Sequence, residues 1–169
     1  MISFEIEVDS PWPAAPDWHE LATRAAEALA PIAPGLTSRR ISASLLFTSD
    51  AEVRALNREW RGKDKPTNVL SFPMLSRAEL TSLSLDGPPV LLGDIALAYE
   101  TCAREASEKG ILLDHHAAHL VIHGLLHLAG HDHEASADEA TAMESLETKA
   151  LALLGIADPY CSAQTDRGG

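Results

Sequence analysis

At 169 residues the chain is long enough for one domain with its own core and too short for two comfortable ones. Its 25 acidic residues against 13 basic ones, a formal net charge of −12, exclude a broadly basic nucleic-acid binder, since a polyanion is repelled by the molecule as a whole. No run reaches the ~18 apolar residues of a membrane span, and the opening MISFEIEVDS lacks a signal peptide's basic cluster.

Taken in chain order, Ile2, Phe4, Ile6 and Val8 alternate with polar residues, the period of a half-buried strand. PWPAAP interrupts it, and Asp17 then caps a helix to about Ala30. Ile41, Ala43, Leu45 and Phe47 give a second strand, and Ser49 with Glu52 reads as a capping box for a short helix carrying Val53, Leu56 and Trp60. Asn68 to Phe72 is a short strand stopped by Pro73. The stretch from Pro73 to Pro89 has no clear period and reads as a surface loop. LLGDIALA, residues 91–98, is a fourth strand, and Glu100 to Lys109 is a helix closed by Gly110. Asp114 caps a helix that runs to about Ala129 and stops at Gly130, and a last helix spans roughly Ala137 to Leu154. A single domain over 1–155 with a disordered tail over 156–169 is the expected organisation. The 2 cysteines, Cys102 and Cys161, lie far apart, which fits a reducing cytoplasm and offers no C-x-x-C zinc site.

All but one of the 8 histidines fall between His115 and His133. On a helix, His123 and His127 stack one turn apart, close enough for both rings to reach one ion. Gly130 can turn the chain back in the left-handed conformation and return His133 to the same ion. Three protein ligands with an open fourth position describe a catalytic metal site; imidazoles suit Zn²⁺, although nickel and copper also accept them. His119 continues the same row and is either a ligand or, one turn further from the return loop, an outer partner of one; the second reading is preferred. His131 competes with His133, and the spacing favours His133. Asp132 and Glu134 either orient a ligand or a water or are solvated acids. His115 and His116, near the helix start, are expected to be exposed.

The spacing His123, His127, Gly130, His133 is that of the metzincin protease signature, with one change: Gly124 stands where those proteases keep their general base. The expectation is a metal scaffold without peptidase chemistry, the glycine leaving space beside the ion. The basic residues are also unevenly spread. Arg54, Arg58, Arg61, Lys63 and Lys65 make a local strip on an acidic chain. Arg61, Lys63 and Lys65 precede the third strand on a loop with Gly62 and Pro66. An arginine clamps phosphate through two parallel bonds and a lysine offers a point charge; alone the three would read as a solvated charged turn, and beside a histidine site phosphate recognition is the preferred reading. Thr67 and Asn68 are expected to fix the loop through bonds to its backbone. Asp94 reads as a turn acid.

HGLLHLAGHDHE, residues 123–134, resembles the H-G-x-L-H-L-x-G-Y-D-H signature of the YbeY family of bacterial rRNA-maturation endoribonucleases. WRGKDKPTNVLSFP, residues 60–73, and LLGDIAL, residues 91–97, are similar to that family's other diagnostic segments in order and spacing. His131 replaces the family's usual tyrosine. The resemblance implies a zincin-like α+β fold, a mixed four-stranded sheet flanked by helices with the metal-binding histidines on a central helix. It implies one Zn²⁺ per chain on His123, His127 and His133, and a functionally essential arginine at Arg61. It implies single-strand-specific, metal-dependent endoribonuclease activity in 16S rRNA 3′-end maturation and ribosome quality control. The implied partners are precursor rRNA, small-subunit ribosomal proteins and an Era-type GTPase, with no membrane. The general base stays open among a metal-activated water, Asp132 and the substrate's 2′-OH. The rival readings are a non-catalytic zinc-binding ribosome-assembly factor and a zinc amide hydrolase.

Overall fold

A computed structural model describes residues 2–131 and 136–159. The chain is α+β: four strands form a mixed sheet in the order β1-β2-β4-β3, with helices on both faces. β1 (Ser3–Val8), β2 (Ile41–Thr48) and β4 (Val90–Ala98) run parallel, and β3 (Val69–Pro73) pairs antiparallel with β4, placing Ser71 opposite Ile95. The helices are α1 (Trp18–Leu29), α2 (Asp50–Arg61), α3 (Arg77–Thr81), α4 (Tyr99–Lys109), α5 (Leu113–Leu128) and α6 (Ala137–Leu153). Among the described residues no helix is long and apolar enough to cross a membrane.

Strand alternation divides the apolar side chains between two cores. Ile41, Ala43, Leu45, Phe47, Ile95 and Leu97 face the larger one, with Leu29 of α1 and Val121, Ile122 and Leu125 of α5. Leu70, Ala96 and Ala98 face the other way and pack with Val53 of α2. The outer helix α2 therefore ends near β3, the edge strand, and the connection from Gly62 to Asn68 joins the outer side of the sheet to that edge.

The helix starts follow their caps. Asp17 accepts from the Glu20 amide (3.0 Å) and Ser49 from the Glu52 amide (3.2 Å). Two expectations need correction. The stretch after Pro73 is not all loop: Ser76 and Glu79 make a full capping box that starts α3, which buries Leu80. Asp114 lies inside the first turn of α5, whose cap is Leu112, without a side-chain bond. At the C-terminal end Ile156 packs against the main core and Thr148 Oγ1 donates to Asp158 (3.3 Å). The rest of the expected tail, 160–169, lies outside the described residues.

Candidate metal and phosphate site

α5 is apolar almost all round, as a helix enclosed by others must be. Ala117, Val121, Ile122, Leu125 and Leu126 are fully buried, while His123 and His127 are half-buried on the side that faces β3. Their Nε2 atoms lie 3.2 Å apart. Two nitrogens bound to one tetrahedral zinc at ~2.0–2.1 Å would be roughly 3.3–3.4 Å apart, so the pair has the bite of two ligands to one ion. Among the described residues no third histidine, cysteine or carboxylate completes a ligand group with them. His133, the expected third ligand, lies outside the described residues, together with Asp132 and Glu134. The turn that leads there is described: Gly130 takes φ +101°, and a Cβ on it would meet Arg77 Cβ of α3 at 2.6 Å. His131 follows, its imidazole pushed below its usual range by burial and then by the nearby Arg77 charge.

Gly124 does not leave room beside the histidines, and that expectation is corrected. Its missing Cβ points at β4, where it would meet Ile95 Cδ1 at 2.9 Å, Cγ2 at 3.1 Å and Cγ1 at 3.2 Å. The glycine brings α5 close to the sheet. A side chain at this position would be aimed into the core rather than at a substrate.

Sequence reasoning missed the group that holds the histidines. Glu147 of α6 is 1% exposed. Its Oε1 accepts from His119 Nε2 (2.6 Å) and its Oε2 from His123 Nδ1 (2.8 Å). His119 thus lies one turn before His123, against the same carboxylate. The available signal was an acid on an apolar stripe: Met143, Glu147, Ala150 and Leu151 fall on one face of α6 and all are buried.

On the facing wall, α2 ends in left-handed Gly62 (φ 69°) and the basic loop begins. Arg61 NH2 donates to the Ser71 carbonyl (2.7 Å) and the guanidinium carbon stands 5.5 Å from the Phe72 ring centroid, an arrangement that lays the side chain along the edge strand. Asn57, also missed from sequence, is buried and donates Nδ2–H to the Lys65 carbonyl (2.9 Å), while the Lys63 amide donates to the Asn57 carbonyl (3.2 Å). Arg54 and Arg58 are turned to another use. Asp64 takes a fork of bonds from Arg54 (2.8 and 3.3 Å) and lies 3.8 Å from Arg58, and this pairing holds its carboxyl below the usual range. The basic strip is therefore split. Arg61, Lys63 and Lys65 line one cleft of about 620 Å³ with Asn57, Thr67, Asn68, His123 and His127, while Arg54 and Arg58 brace the loop.

Three further expectations change. His116 is not exposed but buried, and its Nε2 donates to Glu105 Oε1 (2.8 Å). Burial holds that imidazole below its usual range more strongly than Glu105 raises it. Burial would raise the Glu105 carboxyl, but hydrogen bonds from His116 and Asn68 outweigh it and keep that carboxyl low. Asn68 acts through this side-chain bond (3.0 Å to Glu105 Oε1) rather than through a turn. Asp94 lies within β4, on the face away from Ile95 and the histidines, in a groove with Trp60 and Phe72. Among the described residues no side-chain hydrogen bond holds Thr67, which lines the cleft.

Fold and cleft together define an α+β domain that sets a pair of imidazoles on an enclosed helix against a basic loop at a sheet edge. Residues 14–155 match the family model described as Endoribonuclease YbeY, and the chain belongs to that family. Relatives carrying the name Endoribonuclease YbeY include one from Erythrobacter litoralis, 59% identical over 94% of this chain and 98% of its own length. One from Novosphingobium aromaticivorans is 57% identical, covering 92% of this chain and 94% of the relative. One from Sphingopyxis alaskensis is 52% identical over 95% and 98% respectively. A solution structure of a protein from Thermotoga maritima shares the fold, with a TM-score of 0.57 and 22% identity over 98% of this chain and 93% of that one.

Proposed function

We propose that the chain is a metal-dependent endoribonuclease that hydrolyses phosphodiesters in single-stranded RNA, acting in the cytoplasm on the 3′ end of precursor 16S rRNA and in ribosome quality control. The observation that carries the reading is the shared cleft: two imidazoles with a zinc bite on one wall and Arg61, Lys63 and Lys65 on the other. The names of the relatives support the class of reaction. His123 and His127 would hold one Zn²⁺ together with His133, in a zincin-like arrangement with α5 as the central helix. When bound, the ion supplies Lewis-acid polarisation of a phosphoryl oxygen and an activated water.

The chain's own residues do the rest. Arg61 is held along β3 by the Ser71 carbonyl, and its remaining N–H groups are free of that bond to meet a phosphate and to stabilise the charge that grows on it. Lys63 and Lys65 add point charges along the RNA backbone, on a loop fixed by Asn57 and by the Arg54–Asp64 fork. This local strip lets an acidic chain engage RNA, while delivery to the small subunit falls to ribosomal proteins and an Era-type GTPase. The amide-hydrolase reading loses ground because a base at position 124 would face Ile95.

The test is cleavage of a precursor 16S 3′ fragment by zinc-loaded protein beside Arg61→Ala and a His123→Ala, His127→Ala double variant. Cleavage by the wild type and loss in both variants are expected. A wild type that binds zinc but leaves the RNA intact would favour the non-catalytic assembly factor.

A further inference from the structure

We infer that Glu147 is a positioning residue that selects the ligand form of His123: its buried carboxylate fixes the hydrogen on Nδ1 and leaves Nε2 as a lone pair directed at His127. The inference rests on the reading of His123 and His127 as metal ligands and adds a residue from another helix to that site.

The argument starts from the inventory of hydrogens. A carboxylate only accepts, so each ring nitrogen facing it must carry a hydrogen, and a neutral imidazole has one to place. Glu147 Oε2 lies 2.8 Å from His123 Nδ1. That hydrogen is therefore on Nδ1, and Nε2, 3.2 Å from His127 Nε2, is the nitrogen with the free electron pair. The other oxygen is committed as well, at 2.6 Å from His119 Nε2, so the carboxylate is held at both ends and cannot rotate away from His123.

The setting makes a packing role alone a poor account. Glu147 is 1% exposed and shares its helix face with Met143, Ala150 and Leu151. An apolar side chain would complete that stripe without the cost of burying a charge. The chain instead keeps a carboxylate there and satisfies it with two imidazole N–H groups. A carboxylate behind a metal-ligating histidine fixes its tautomer and ring orientation, and removing such a partner typically lowers metal affinity ~10–100-fold. His119 acts here as the second anchor of Glu147.

The experiment uses the full chain. In the metal-free wild type, long-range ¹H–¹⁵N spectra distinguish the two neutral tautomers of each ring. His123 is expected as Nδ1–H and His119 as Nε2–H, and His123 found as Nε2–H overturns the inference without any variant being made. Glu147→Gln is the isosteric change. Its amide can accept from one ring but must donate to the other, so one histidine changes tautomer or loses its bond, and zinc binding weakens ~10–100-fold. Glu147→Gln with wild-type spectra and zinc affinity within about twofold of wild type would also overturn it. A wild type without zinc affinity would sink the metal reading, and the tautomer spectra would then decide the role of Glu147 separately.

Discussion

Replacing Gly124 with alanine adds one methyl group where α5 meets β4. That methyl would lie 2.9 Å from Ile95 Cδ1, which can swing, but also 3.1 Å from Cγ2 and 3.2 Å from Cγ1, which are fixed to the strand by the Cβ branch. Ile95 is 1% exposed and its χ1 is stiff, so in a close-packed core it yields only by displacing its neighbours. Two effects compete. Alanine is better than glycine inside a helix by about 1 kcal/mol, while overpacking a filled core costs about 1–3 kcal/mol. The contact geometry favours the second, leaving a net loss of about 1 kcal/mol, which lowers the melting temperature by roughly 2–4 °C for a chain of this size. Thermal and denaturant unfolding measure it. Ile95→Val removes Cδ1 and should cost less in the Gly124→Ala background than alone, a positive coupling in a double-mutant cycle. A Gly124→Ala variant as stable as wild type or more so, with Ile95→Val simply additive, would refute the packing account. Gly124→Glu is expected to fail by the same route, burying a carboxylate against Ile95 rather than filling a substrate site.

Arg61→Ala should abolish or sharply reduce RNA cleavage while leaving zinc content at wild-type level; loss of its bond to the Ser71 carbonyl lowers stability by about 1 kcal/mol or less. Arg61→Lys should rescue poorly, because the fork is lost, and normal turnover in Arg61→Ala would return the residue to a structural role on the edge strand. Elemental analysis should find one divalent ion per wild-type chain and none in the His123→Ala, His127→Ala double variant; a full complement in the variant would sink the assignment. Stability should fall on acidification. With the His116 imidazole held below 6.5, the unfolded chain takes up the proton first, so stability declines as pH drops from about 6.5 through the folded value. The Glu105 carboxyl, held below 4.5, adds stability above that pH and loses it as pH falls through its own folded value. In urea melts at stepped pH, His116→Gln should show a shallower decline just below pH 6.5, and an unchanged slope would exclude His116 as the cause.

Much of the fold was legible because its signals are local. Ile41, Ala43, Leu45 and Phe47 alternate, and Asp17 and Ser49 cap their helices as their chemistry directs. The five-residue α3 was not legible, since one buried leucine cannot establish a period and the Ser76–Glu79 box had to be read alone. At the site, the spacing of His123 and His127 was readable because both stand on one helix. Glu147 was not, because only the packing of α6 on α5 brings it to them. Asn57 and His116 escaped for the same reason: their partners, Lys65 and Glu105, belong to other elements or loops. Gly124 was misread because sequence shows which side chain is missing but not where the missing Cβ would point.

The central claim is that RNA cleavage in this cleft depends on the ion that His123 and His127 help to hold. Its most direct test is a titration of metal-free protein with zinc, reading cleavage of a single-stranded precursor-rRNA fragment at each step. Activity that rises with added zinc and levels off at one equivalent per chain is the predicted result. Metal-free protein that cleaves as fast as the loaded form would contradict it.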